Sequence, residues 1–276
     1  MQQRPFASAA PRSARPLGPI DYATPVAWWG WSWEPPVPMS VSELVAAGDM
    51  DARTAAVSWL VLGGHGSILI AAEQPHSGKT TTLTALLDLV PERIGRVYLR
   101  GGAETFEFLA TARPAATMLL ANELSSHLPV YLWGAKAVRT FRALRDGYAL
   151  ASTLHADSCA EAIAQLRELG VDGSDLARVD LLIVMRARRV ASVDRPVEDR
   201  SLVTATAEGW RHDREAEAAL VADRYGWTTG AAERAIGCRA DHIAGLVARR
   251  VFAIDDIQNA LRPLNDRSDR DEGEHG

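Results

Sequence analysis

The stretch SILIAAEQPHSGKTTTLTALLDLV, residues 67–90, constrains the fold more than any other part of this chain. SILIAA reads as a short buried strand, EQPHSG as a turn, and KTTTL as the start of a helix that ends near Pro91. A strand that passes through a tight loop into a helix aims backbone N–H groups and the positive end of the helix dipole at one spot. That spot suits phosphate. Gly78 lets the backbone approach closely, Lys79 offers a mobile cation to the outer phosphates, and the Thr80 hydroxyl is a hard oxygen ligand for magnesium. Ser77 and Thr81 flank them as further phosphate-contacting candidates. The pattern GxxxxGK(S/T) fails at its first glycine, where Glu73 stands, and His76 adds bulk where a small residue is usual. A carboxylate there repels phosphate unless it turns outward, which lowers affinity more readily than it abolishes it. Taken without their context, these residues also fit a Ser/Thr-rich helix start with an exposed lysine.

Around this unit, apolar strands alternate with helical patterns. VSELVAAG and DARTAAVSWLVLGG look helical, RVYLR and ATMLLAN are strands, and LPVYLWGAKAVRTFRALRDG reads as an amphipathic helix. YALASTLH is a strand, SCAEAIAQLRELG a helix opened by a capping box from Ser158 to Glu161, and VDLLIVMRA and RRVASVD are strands again. Strands separated by helices imply an α/β fold: a mostly parallel sheet with helices on both faces. The expected organisation is an extended Trp-rich arm over 1–40, the α/β core over 41–210, a small helical C-terminal subdomain over 211–263, and a disordered acidic tail over 264–276. The arm carries Trp28, Trp29, Trp31 and Trp33, which could dock on the body, a neighbouring subunit or a membrane surface.

A net charge of -5 gives no broad basic field, so no specific nucleic-acid partner is expected. A helix-turn-helix reading of the C-terminal segment, with Gly226 and Thr228 near the turn, is disfavoured on the same ground. Cys159 and Cys238 are too few for a disulfide framework or a zinc site and read as packing residues. AAVSWLVLGGHGSILIAA, residues 55–72, is long enough to span a bilayer, but GGHG divides it into a helix end and a strand. No secretory signal is read in the first forty residues, and a cytoplasmic location, with peripheral membrane attachment as an option, is expected.

Four stretches in order, SILIAAEQPHSGKTTTLTALLDLVP, MLLANELSS, ALASTLHADSCAEAI and LLIVMRARRVASV, resemble the consecutive motifs of the type II/type IV secretion and pilus-assembly ATPases. The resemblance spans roughly residues 41 to 200 and includes SELVAAGDMDARTAAVSWLVLGG, which is similar to that family's helical lead-in. It implies a RecA-like P-loop core, ATP and Mg2+ as cofactors, a homohexameric ring, and mechanical work on a membrane platform protein. Residue by residue, it implies that Glu123 orients magnesium or its water shell, with Asn122 replacing the usual glycine. Glu104, with Glu107 as a substitute, would polarise the attacking water, while Arg100 and Gly101 stand where carboxylates are expected. His155 would meet the γ phosphate, and an earlier histidine of that motif is replaced by Tyr148. The family's large N-terminal domain, which lends arginines to a neighbouring nucleotide, has no counterpart in residues 1–40, which leaves Arg113, Arg139, Arg142 and Arg145 as candidates within the core. Three functions follow from these readings: a divergent motor ATPase, a nucleotide-binding paralogue with weak or no turnover, or a small P-loop phosphotransferase.

Overall fold

The computed structural model describes residues 21–25, 38–74, 76–196, 198 and 200–267, with side chains through Leu264. The four tryptophans of the N-terminal arm and the tail beyond residue 267 lie outside the described residues.

The apolar runs form one sheet. β1 (Ile68–Ala71) lies between β4 (Ala149–Leu154) and β5 (Leu181–Arg186), β3 (Thr117–Leu124) pairs with β4, and β2 (Gly95–Tyr98) pairs with β3, all in parallel. Beyond β5 the sheet continues antiparallel through β6 (Arg189–Arg195), β7 (Arg200–Thr206) and β8 (Gly209–His212), giving the order β2-β3-β4-β1-β5-β6-β7-β8. Side chains alternate across a strand, and the core divides accordingly. Ile68 and Ile70 join Met118, Leu120, Ala149, Ala151, Leu181 and Ile183 on one face, while Leu69 and Ala71 join Leu119, Leu150 and Leu182 on the other. Burial on both faces is why the central strands are continuous apolar runs rather than alternating ones.

The first face is covered by α1 (Val41–Ala47), α2 (Ala52–Gly63), α3 (Lys79–Leu87), α7 (Arg214–Tyr225) and α8 (Thr229–Ala248), with Ile257 and Leu261 of α9 (Ile254–Arg267) added. The second is covered by α4 (Gly134–Ala143), α5 (Cys159–Leu169) and the short α6 (Gly173–Leu176). This is the expected α/β class. α2 is buried from Thr54 to Gly63, because α3 lies on one side and α7 and α8 on another. A helix covered all round is apolar all round, which accounts for the membrane-like run at 55–72. Among the described residues no helix is long and apolar enough to cross a membrane.

Caps fix the helix starts. Ser40 and Glu43 form a complete capping box on α1, with Ser40 Oγ 3.3 Å from the Glu43 N–H and Glu43 Oε2 2.8 Å from the Ser40 N–H. At α5 the expected box is only half made: Ser158 Oγ accepts from the Glu161 N–H at 3.2 Å, but the Glu161 carboxylate accepts from the Asp157 N–H at 2.8 Å. The helix expected over 128–147 begins only at Gly134 (φ +59). Pro129 disfavours helical backbone at the residue before it, and residues 128–133 instead form a loop that bridges back to Leu124 at the end of β3.

A charged network ties α2, α7, α8 and β8 together. Arg53 donates to Glu217 at 2.6 Å and to both oxygens of Glu233, at 2.5 and 3.0 Å. His212 places its two ring nitrogens 2.6 Å from Glu217 and 2.7 Å from Asp51. Burial pulls the His212 imidazole down, but the hydrogen bonds from Asp51 and Glu217 outweigh it and push the group up to about 9.

Candidate functional site

Parallel strands bring their C-terminal ends to one edge of the sheet, where ligands of open α/β sheets bind. β1 delivers the 72–78 loop to that edge, β3 delivers Glu123, and β4 delivers His155, with Ala71 and Leu124 both in register with Leu154. Glu123 owes its direction to a bulge. Ala121 and Leu124 face the same side of the sheet although they stand three positions apart, with two residues between them, and the register shifts between Ala121 and Glu123. The Asn122 carbonyl released by the bulge accepts from Thr153 Oγ1 at 2.9 Å. Without the extra residue, simple alternation would put Glu123 on the opposite face.

The loop needs its glycine. Gly78 caps α3 with φ +91 and no side-chain cap, so the first N–H groups of the helix are not closed off by a capping oxygen. His76 also adopts a left-handed backbone, φ +57, which costs energy for a residue with a Cβ. Glu73 and Gln74 are exposed, whereas Ser77 and Lys79 are buried, and the Glu73 charge still acts on the Lys79 ammonium.

Lys79 is only 7% exposed. Its Nζ donates to the Ala72 carbonyl at 2.9 Å and lies 3.5 Å from His155 Nδ1. Burial pushes its ammonium below the usual lysine range, and the charges of Glu123 and Glu73 pull it partway back. His155 Nε2 stands 3.0 Å from Glu123 Oε1, yet the angle is not that of a hydrogen bond, and this buried oxygen has no donor. His127 completes the corner, its ring 5.3 Å from that of His155 in an edge-to-face arrangement. Ligand atoms of Glu123, His127 and His155 all lie within 4.8 Å of one another.

Glu104 does not join this group. It is 2% exposed and accepts from the Arg100 N–H (2.8 Å), the Phe106 N–H (2.6 Å) and the Tyr22 hydroxyl (2.8 Å), so its oxygens hold the 100–106 turn. Glu107 is exposed on the following helical turn. Gly101, where a carboxylate was expected, packs so closely that a Cβ would sit 2.2 Å from the Val130 carbonyl oxygen. Tyr148 is buried against Phe108, with its hydroxyl 3.4 Å from the Ala112 carbonyl. Of the expected arginines, Arg139 lies over the Phe106 ring at 4.5 Å, Arg145 pairs with Asp172 and Asp175, and Arg142 is exposed.

Two cations beside the loop were not singled out from the sequence. The β5–β6 hairpin turns at Ala187 and Arg188, with φ +48 and +67, the left-handed pair that a tight hairpin demands. This turn lies over the loop, since a Cβ on Gly78 would be 3.7 Å from the Arg188 Cα. Arg186 lines a cavity of about 160 Å³ with Glu73, Gln74, Ser77, Asp157, Met185 and Ala187. Such a space is below the ~300–1,000 Å³ that encloses a whole drug-sized ligand. Its lining includes the acidic residues Glu73 and Asp157 and does not include Lys79, Thr80, Glu123 or His155. A larger cavity, about 540 Å³, opens beside Asp88 at the other end of α3 and includes none of these residues. The hairpin lacks the Asn-Gly or Asp-Gly signal that marks such turns, and His127 follows Glu123 in a loop whose path only the fold reveals.

Compared with known proteins, the sequence matches no family model and no curated protein. Among solved structures it is similar to the X-ray structure of the Legionella pneumophila ATPase DotB, with a TM-score of 0.36 and 11% identity over 82% of this chain. The match covers 66% of that chain, just under two thirds of its length. So slight a likeness carries no argument about function, which rests on the geometry described above.

Proposed function

We propose that the chain binds ATP with its phosphates on the 72–78 loop and the first turn of α3 and hydrolyses it, acting as a motor-type subunit of a type II/IV secretion or pilus-assembly machine. The observation that carries the nucleotide reading is Lys79: a buried ammonium at the start of α3 whose nearest partners are a neutral carbonyl and the His155 ring. A desolvated cation without a hydrogen-bonded carboxylate partner is costly, and phosphate at the helix N-terminus relieves that cost. Ser77, Gly78, Thr80 and Thr81 would surround the phosphates, and Arg186 and Arg188 would add charge from the hairpin. The donors present also fit magnesium, since the Thr80 hydroxyl and the donor-free Glu123 oxygen are hard ligands. Bound there, the ion would neutralise phosphate charge. His155 would contact the terminal phosphate, and Glu123 would position water. Ring assembly and a membrane platform partner belong to the same proposal and rest on the motif series.

A second reading, nucleotide binding with little turnover, is favoured by one feature: the hydrogen bonds of Glu104 hold it in its turn, away from Glu123 and His155. Equilibrium binding and steady-state hydrolysis of Mg-ATP, measured on the wild type, Lys79→Ala and Glu123→Gln, separate the two. Turnover that falls in both variants supports the motor, and binding without turnover above the variants supports the second reading. If Lys79→Ala keeps both properties, neither stands.

A further inference from the structure

We propose that, in the nucleotide-free chain, Glu123, His127 and His155 form a site for a divalent transition metal of the zinc class, which shares Glu123 and His155 with the proposed nucleotide site and is filled in alternation with it. The first argument is the donor set. One carboxylate and two imidazoles suit zinc, cobalt or nickel, whereas magnesium prefers all-oxygen shells. The three ligand atoms already lie within 4.8 Å of one another.

The second argument is the state of the atoms. His155 Nδ1 lies 3.3 Å from the Glu73 carbonyl oxygen, which can only accept a hydrogen bond. Of the two contacts on Nδ1 this is the shorter, the Lys79 ammonium lying at 3.5 Å, so we assign the proton to Nδ1 and the lone pair to Nε2. That lone pair sits 3.0 Å from Glu123 Oε1, a buried oxygen on a side chain only 10% exposed and without a hydrogen-bond donor. Two acceptors held this close need a proton or a metal ion between them, and no hydrogen bond is formed here. Two ligand atoms about 2.0–2.2 Å from one metal, at angles between square and tetrahedral, stand about 2.8–3.6 Å apart. A ring nitrogen anchored on a backbone carbonyl while its other nitrogen ligates is also the usual outer support of a metal-binding histidine.

His127 supplies the third ligand. It is exposed, so its ring can rotate into the site at little cost, and its backbone N–H is fixed 3.1 Å from Ser125 Oγ. Three protein ligands leave the metal an open position, the arrangement of reactive rather than purely structural zinc sites. The Lys79 ammonium, 3.5 Å from the far side of the His155 ring, repels a metal cation but would favour an anion in that open position.

The test is a Co2+ titration of the metal-stripped 276-residue chain without nucleotide, followed by visible ligand-field absorption, with Zn2+ and Mg2+ as competitors. The expected result is one Co2+ per chain, displaced by Zn2+ and not by equimolar Mg2+, with affinity at least tenfold weaker in His127→Ala, His155→Ala and Glu123→Gln. Because His127 is exposed, its replacement does not endanger folding. His127→Cys should retain binding and add a thiolate charge-transfer band. Lys79→Met should bind Co2+ at least as tightly as the wild type while losing ATP, so the metal site and the nucleotide reading fail separately. No Co2+ spectrum in the wild type, equal competition by Mg2+, or wild-type affinity in His127→Ala and His155→Ala would overturn the proposal.

Discussion

Two clusters of buried charge in this molecule are built on opposite terms. In the Asp51, Arg53, His212, Glu217 and Glu233 cluster, every carboxylate oxygen meets a donor, and every cation meets a carboxylate at hydrogen-bond distance. In the Lys79, Glu123 and His155 cluster, the ammonium bonds a neutral carbonyl and Glu123 Oε1 has no donor at all. A satisfied buried network specifies packing, while an unsatisfied one is kept only against a cost to stability. The first cluster holds α2, α7, α8 and β8 in place. The second leaves its charges short of partners within the chain, which is the basis of the proposed function.

Removing one partner from the satisfied cluster should therefore have the largest effect. Glu217→Ala leaves Arg53 and His212 buried without their shared carboxylate, and urea denaturation should show a loss of about 3–5 kcal/mol. A loss under about 1 kcal/mol would erase the contrast between the clusters.

The pH response comes next. Against the lowering effect of burial, the hydrogen bonds from Asp51 and Glu217 push the His212 imidazole from its ordinary 6.5 up to about 9. A histidine raised in this way contributes its stability in full below its unfolded value and loses it as pH rises through the folded value. Urea unfolding should therefore show a fall on the order of 1–3 kcal/mol between about pH 7 and pH 10, and His212→Gln should flatten that fall.

The smallest change is expected where a conventional view of buried ion pairs would expect a large one. Lys79→Met removes a cation that burial already disfavours, so the stability of the ligand-free chain should stay within about 1 kcal/mol of wild type or rise. Glu123→Gln should behave alike. A loss of about 3 kcal/mol or more in either would mean that this cluster, too, serves the fold.

How much of this was legible in the sequence varied with how local the cause was. β1, the loop and α3 could be read because a strand, a glycine and a Lys-Thr pair are adjacent in the chain, and β3, β4 and β5 because buried parallel strands are continuous apolar runs. β7 escaped notice because its ends are exposed and only Leu202 and Val203 at its centre are buried, so it lacks such a run. Glu123 and His155 were found by their motifs and do meet at the sheet edge. His127, Arg186 and Arg188 were not, since their positions depend on a loop after β3 and a hairpin without turn residues. Glu104 shows the converse: a carboxylate in the expected place along the chain, directed by the 100–106 backbone into its own turn.

The most direct test of the unsatisfied cluster is ligand linkage. Urea unfolding of the wild type and of Lys79→Met is measured with and without Mg-ATP at saturating concentration. A ligand present at a hundred times its Kd stabilises the state it binds by about 2.7 kcal/mol, and that increment should appear in the wild type and vanish in Lys79→Met. Equal stabilisation of both chains, or of neither, would contradict the account.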